Sequence, residues 1–429
     1  MTIYRGTVFD TPEVEGHVAQ LRADHDAALV VREGVIVDRT DFGSARERYP
    51  QDDVVDLGEG ILLPGLIDTH VHFPQARIIG GLGMPLLQWL DECALPEEVR
   101  LGERGYAQAV ADDFLGGLIS AGTTTALVFG SHFPQAMETL FAAAEKSGLR
   151  ITSGLTVSDR ILPEQLLLGP EEALAEGRRL AETWHGRGRL RYAVTPRFSL
   201  SASDELLASC AELLTAEYAD PLWFTTHINE NPAEIDEIGR LFPESTDYLD
   251  TYANHGLLSE RSVFAHNVHP TPSELPRLAE AGSAVAHCPT SNAALGSGLF
   301  PFREHREAGV QVALGSDVGA GTGFSLLKEG LQCYFGQQLR GAAGVALTPA
   351  DLLRLATSAG AAALGLQDRV GDLSVGKEFD AVWVSPSPGG ALDGVLPYAR
   401  DDDDALAKVF ALGGPADIAR VWVGGDVVG

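Results

Sequence analysis

Basic residues are scarce in this 429-residue sequence: 31 Lys and Arg stand against 60 Asp and Glu, a net charge of −29. So acidic a surface repels phosphate backbones and anionic headgroups, which argues against nucleic acid and membrane-surface partners. Cysteine is scarcer still. Cys93, Cys210, Cys288 and Cys333 lie far apart with no C-x-x-C pair. That spacing excludes a disulfide framework and fits buried thiols in a reducing compartment, so a cytoplasmic protein is expected. Met1–Gly6 carries no charged start followed by an apolar run, and no signal peptide is expected. The longest stretch free of acid and base, Phe114 to Met137, holds four glycines, three consecutive threonines, His132 and Pro134. Such a stretch reads as a core segment rather than a membrane span.

Apolar residues make up 45% of the chain, enough to build a large core. Short β-rich runs come first, at Ile3–Phe9, Ala28–Val31, Gly34–Val37 and Val54–Leu57, and similar runs close the chain at Phe379–Val384 and Arg420–Val423. Between these ends, eight segments read as buried strands: Leu63–His72, Thr123–Gly130, Arg150–Val157, Leu190–Phe198, Leu222–Glu230, Ser262–His269, Ser283–Ser291 and Gln311–Gly319. Helical patterns separate them, for example at Phe133–Ser147 and Asp204–Tyr218. The count is that of an α/β fold, a (β/α)8 TIM-like barrel, with an open doubly wound sheet as the rival. The expected division is a barrel over 65–370 and a small β-sandwich domain built from both termini, 1–64 and 371–429. The acidic run Asp401–Asp404 reads as a solvated loop, because adjacent carboxylates repel one another.

In such a barrel, reactive residues gather at the C-terminal ends of the strands. Here the first strand ends in Asp68-Thr-His70-Val-His72, whose period-two alternation sends both histidines to one face. The fifth ends in His227-Ile-Asn-Glu230, the sixth in His266, the seventh in His287 and the eighth in Ser316-Asp317. Isolated, each imidazole is a satisfied core histidine. Gathered at strand ends, His70, His72, His227, His266 and Asp317 form a donor set for a divalent metal, zinc or iron(II).

Longer stretches carry a resemblance. Pro64-Gly-Leu-Ile-Asp-Thr-His-Val-His72, the later lone histidines and Ser316-Asp317 resemble the amidohydrolase superfamily. Within it, His72-Phe-Pro-Gln75, Val194-Thr-Pro-Arg-Phe198, Thr226-His-Ile-Asn-Glu-Asn231, His287-Cys-Pro-Thr-Ser-Asn292 and the glycine-rich run after Asp317 are similar to the barrel-type guanine deaminases. Relatives with two metals commonly bridge them through a carboxylated lysine near the end of the fourth strand. The only lysines here are Lys146, Lys328, Lys377 and Lys408, none near Leu190–Phe198, so one metal per chain is expected.

The resemblance implies a division of roles. His70, His72, His227 and Asp317 hold the metal, Zn2+ with Fe2+ as the alternative, and Asp317 also takes a proton from the attacking water. Glu230 binds the substrate, protonates its ring nitrogen and relays a proton to ammonia, and His266 hydrogen-bonds the attacking oxygen. Arg197 anchors a purine edge, Phe198 lies against the ring and Gln75 meets the amide-like edge. The substrate is then a free nucleobase, guanine going to xanthine and ammonia, with a homodimer implied by the family. Asn229 departs from an expected serine and points to an effect on substrate fit. Trp89, in an apolar helical pattern, reads as core. The rivals are a deaminase of another aminated heterocycle (a pterin, an aminotriazine, an oxidised purine), a cyclic-amide hydrolase, and a non-catalytic scaffold on an inherited barrel. His305-Arg-Glu307 is only half of the other deaminase zinc signature, whose P-C-x-x-C is absent.

Overall fold

A computed structural model describes residues 1–15 and 18–429. The middle of the chain forms a parallel barrel of eight strands: Leu66–His72, Thr123–Phe129, Arg150–Gly154, Leu190–Pro196, Trp223–Ile228, Ser262–His266, Ala284–His287 and Gln311–Leu314. Thr156–Val157 extends the third strand along the fourth. The eighth strand meets the first through the amide of Asp317, which donates to the carbonyl of His70 (2.8 Å), and the amide of His72, which donates to that of Val318 (2.9 Å). The rival open sheet is thereby excluded. Most strand residues are buried on both faces, because helices such as Arg104–Ser120, Pro134–Ser147 and Pro170–Trp184 cover the outside. Phe114 to Met137 is, as expected, core: part of one helix, the whole second strand and the start of the next helix.

Both termini build one seven-stranded sheet, ordered Asp426–Val427, Ile418–Val423, Ala381–Val384, Asp53–Pro64, Thr2–Glu15, Val18–Arg32 and Val35–Asp41. It curls like a sandwich. The amide of Ile36, on the far edge, donates to the carbonyl of Lys377 just before Ala381–Val384. Tyr4, Phe379 and Trp422 meet inside the curl, with ring centroids 4.5 and 5.4 Å from that of Tyr4. The N-terminal strands run longer than the apolar pattern predicts. Arg22 and Arg39 keep the strands going by pairing with the buried Asp10, so charged positions interrupt the pattern without ending the ladder.

The run Asp401–Asp404 is not a solvated loop. It opens the helix Asp402–Leu412: Asp401 caps it by accepting from the amide of Asp404 at 2.8 Å, and three further acids fill its first turn. The helix dipole and free amides offset the repulsion that the sequence alone emphasises.

Between the first strand and the helix Arg104–Ser120, the chain makes a helical segment, Leu86–Trp89, one π turn at Leu90–Ala94, and Leu95–Arg100. Pro96 has no amide to return to the preceding turn, and the wider turn sits directly before it. This segment covers the mouth of the barrel.

Candidate active site

Four ring nitrogens and one carboxylate converge at the C-terminal mouth. His70 and His72 lie two residues apart on one strand, and their Nε2 atoms stand 3.2 Å apart. The Nε2 of His227 is 3.2 Å from that of His72. Asp317 Oδ1 lies 3.2 Å from the Nε2 atoms of both His70 and His72. Neighbouring ligands of a tetrahedral zinc at bond lengths of ~2.0–2.1 Å stand about 3.3 Å apart, so this spacing suits a divalent metal. A second grouping is compatible as well: His70, His227, His266 and Asp317 keep one donor atom each within 4.8 Å of one another. His266 Nε2 stands further off, 3.7 Å from Asp317 Oδ2.

The surroundings fix these rings. His227 Nδ1–H donates to the carbonyl of Arg197 at 2.6 Å, and His266 Nδ1–H to Asn292 Oδ1 at 3.0 Å, so each turns its Nε2 inward. Burial lowers the pKa of His70, of His72 to about 4, and of His227 well below the usual range, leaving neutral imidazoles with free lone pairs. Asp68 accepts from the amides of His70 and Ser316 at 3.1 and 3.0 Å, tying the first strand to the eighth. Asn229, His266, Asn267 and Asp317 all have left-handed backbone, with φ from +47° to +71°. Such conformations are costly for these residues and cluster here at three strand ends.

Glu230 is buried, with Oε2 3.5 Å from His266 Nε2 and Oε1 accepting from Ser297 Oγ at 3.3 Å. Burial, reinforced by the charge of Asp317, raises its pKa well above the usual carboxylate range. That shift favours its acid form, the form able to donate a proton. Glu234 holds its main chain in place by accepting from the amides of Glu230 and Asn231 at 3.2 and 3.3 Å.

These groups share one small pocket, with about 330 Å³ of atom-free space. His72, Gln75, Arg197, Phe198, His227, Glu230, His266 and Asp317 line it, and Leu86, Trp89 and Leu90 close it from the covering segment. Trp89 is thus pocket wall as well as core, a correction to the sequence reading; its helical pattern shows an apolar face without saying what that face meets.

Asn229 does not touch the pocket. Its amide donates to Asn267 Oδ1 and Glu274 Oε2 at 3.0 and 3.1 Å, and its left-handed φ of +50° breaks the alternation that would have aimed it inward. His287 stacks on Phe300 instead of joining the cluster, and His305 bonds Asn267. The glycine run after Asp317 is a close turn: a Cβ at Gly321 would lie 1.8 Å from the carbonyl oxygen of Ser316.

Two buried residues escape the sequence reading. Glu98, from Leu95–Arg100, accepts from Arg197 Nη1 through both oxygens at 2.8 Å and from Gln75 Nε2 at 2.8 Å. His132, just past the second strand, places Nδ1 3.3 Å from Glu98 Oε2. The rule that picks out the other strand-end histidines also applies to His132. No motif marks Glu98.

Barrel, mouth and donor set together define a metal-dependent hydrolase of the amidohydrolase type. Residues 61–428 match the amidohydrolase family, and the chain belongs to it. It is 57% identical, over all of this chain and 98% of the other, to a probable guanine deaminase of Deinococcus radiodurans. The solved guanine deaminase of E. coli superposes with a TM-score of 0.95 at 35% identity, covering 100% of this chain and 99% of that one. A guanine deaminase from C. acetobutylicum, solved with guanine bound in its active site, superposes at 0.92 with 26% identity over 99% of both chains.

Proposed function

We propose that this chain is a guanine deaminase, converting guanine and water to xanthine and ammonia. One observation carries the reading: a buried Glu230 and a His/Asp metal cluster face the same small pocket as Arg197, Gln75 and Phe198. The full-length similarity to guanine deaminases supports the choice of substrate.

His70, His72, His227 and Asp317 would hold one divalent metal, zinc on the nitrogen-rich donor set with iron(II) as the alternative. Bound there, the metal supplies Lewis acidity and lowers the pKa of water toward ~7. Asp317 accepts the proton that the attacking water loses, and His266 orients the oxygen. Glu230 gives its proton to the ring nitrogen beside the attacked carbon. The added hydroxyl gives its remaining proton to the Glu230 carboxylate, which relays it to the exocyclic amine, and the carbon–nitrogen bond breaks to release ammonia. The proton held by Asp317 then returns Glu230 to its acid form. Arg197 donates to the carbonyl and ring nitrogen on the opposite edge, and Phe198 lies against the ring. Gln75 already gives one N–H to Glu98 and accepts from the amide of Gly319 at 3.3 Å. One N–H and one lone pair remain for the purine.

The division into 1–64, 65–370 and 371–429, a cytoplasmic location and a homodimer belong to the same proposal. Four free cysteines support a reducing compartment, and no helix among the described residues is long and apolar enough to cross a membrane.

The test is ammonia release from free aminopurines, pterins and aminotriazines, with metal content read on the same sample. Xanthine from guanine at about one metal per chain is expected. Turnover of a pterin or triazine with silence on guanine would overturn the substrate assignment and leave the deaminase chemistry standing.

A further inference from the structure

The proposed reaction makes no use of Glu98, yet its carboxylate is 2% exposed and holds groups from three other elements. Gln75 follows the first barrel strand, His132 the second and Arg197 the fourth, and all three point polar hydrogens or a ring nitrogen at Glu98. Its neighbour Glu97 turns away to Arg100 and Tyr106. Burial holds His132 below its usual pKa, so the counter-charge for Glu98 is Arg197.

A guanidinium has five N–H donors in a planar fork. Glu98 takes the Nη1 end, leaving Nε and Nη2 for a ligand and no freedom to swing. The pair also sums to zero charge. A buried guanidinium without its carboxylate would attract anions strongly, whereas a compensated one presents donors to a neutral partner. The distinction matters for this reaction. Guanine is neutral near neutral pH, while xanthine gains an imide N–H and becomes an anion at mildly alkaline pH.

We propose that Glu98 is a positioning and specificity residue: it aims Arg197 and Gln75 and, by cancelling the guanidinium charge, sets the pocket to accept a neutral aminopurine and to disfavour its anionic product. The proposal rests on the guanine deaminase reading above.

The test compares the metal-loaded wild type with Glu98→Gln and Glu98→Asp. Guanine KM and kcat are measured, and xanthine binding is followed by calorimetry on the acid and alkaline sides of its ionisation. In the wild type, xanthine binding weakens as the ligand ionises. In Glu98→Gln, metal content is unchanged, guanine KM rises about tenfold or more, and xanthine binding strengthens about tenfold on ionisation. A merely structural role would lower yield or kcat without reversing that charge preference. Wild-type KM and an unreversed trend in Glu98→Gln would overturn the proposal. Should Glu98→Gln fail to fold, Glu98→Asp decides. It keeps the charge and shortens the reach, so a raised KM with the wild-type xanthine trend is expected, and a wild-type KM overturns the positioning role. A wild type that binds xanthine but leaves guanine intact would instead sink the deaminase reading, with calorimetry still testing Glu98.

Discussion

The imidazole of His227 donates its Nδ1–H to the main-chain carbonyl of Arg197 at 2.6 Å. One hydrogen bond thus links a member of the metal cluster to the residue that would anchor the substrate. Tyr252 supports the same point by donating to the carbonyl of His227 at 2.8 Å. Because the Arg197 contact is made by backbone, the side chain can be changed without releasing the ring.

Arg197→Lys is therefore expected to keep its metal while guanine KM rises about ten- to a hundredfold. Lysine still balances Glu98 but loses the planar fork, worth ~1.5–3 kcal/mol for a charged hydrogen bond. Metal analysis beside steady-state kinetics checks this. Loss of metal would show that the ring of His227 depends on the guanidinium after all.

Glu230→Gln removes the transferable proton and keeps the shape. Metal content should stay at the wild-type level while kcat falls about 10²- to 10⁴-fold. Full turnover in this variant would remove Glu230 from proton transfer.

The two compatible metal groupings differ in His72 and His266. His72→Ala is expected to lose the metal, because its Nε2 lies 3.2 Å from those of His70 and His227 and from Asp317 Oδ1. His266→Ala should retain it and lose activity. Metal content after gel filtration separates the two, and the reverse result would place His266 in the ligand set.

Stability against pH has a traceable contributor in Glu329. Buried, and accepting from the amide and hydroxyl of Thr290 at 2.9 and 2.7 Å, it has a pKa pushed up from 4.5 to about 8 by burial. The folded state then binds more protons than the unfolded one between these values. The stabilisation is complete below the unfolded pKa and is lost as pH rises through about 8. Glu329→Gln should flatten this decline, seen as a smaller drop in Tm between mildly acidic and alkaline buffer. An unchanged slope would assign the decline to other groups.

Much of the site is legible in order of appearance along the chain. His70, His72, His227, His266 and Asp317 stand out because apolar strands have no packing reason to end in imidazole or carboxylate, and the structure brings all five to one mouth. Glu98 does not stand out. It lies on a helix between other acids, in a chain where carboxylates are everywhere, and only burial against Arg197 separates it from Glu97 and Glu103. Asn229 fails in the opposite sense: the family resemblance ties it to substrate fit, and a left-handed turn sends its amide to Asn267 and Glu274.

By itself, the sequence determined the number of barrel strands, the ends from which chemistry projects, and the residue types gathered there. Those features follow from local periodicity and from what an apolar strand can tolerate. Only the tertiary structure decided the partners. That Glu98 neutralises Arg197, that Trp89 walls the pocket and that Asp401 caps a helix depend on contacts between distant segments or on free amides at a helix end. Periodicity shows which face a residue takes, but a buried charge is defined by the group brought opposite it.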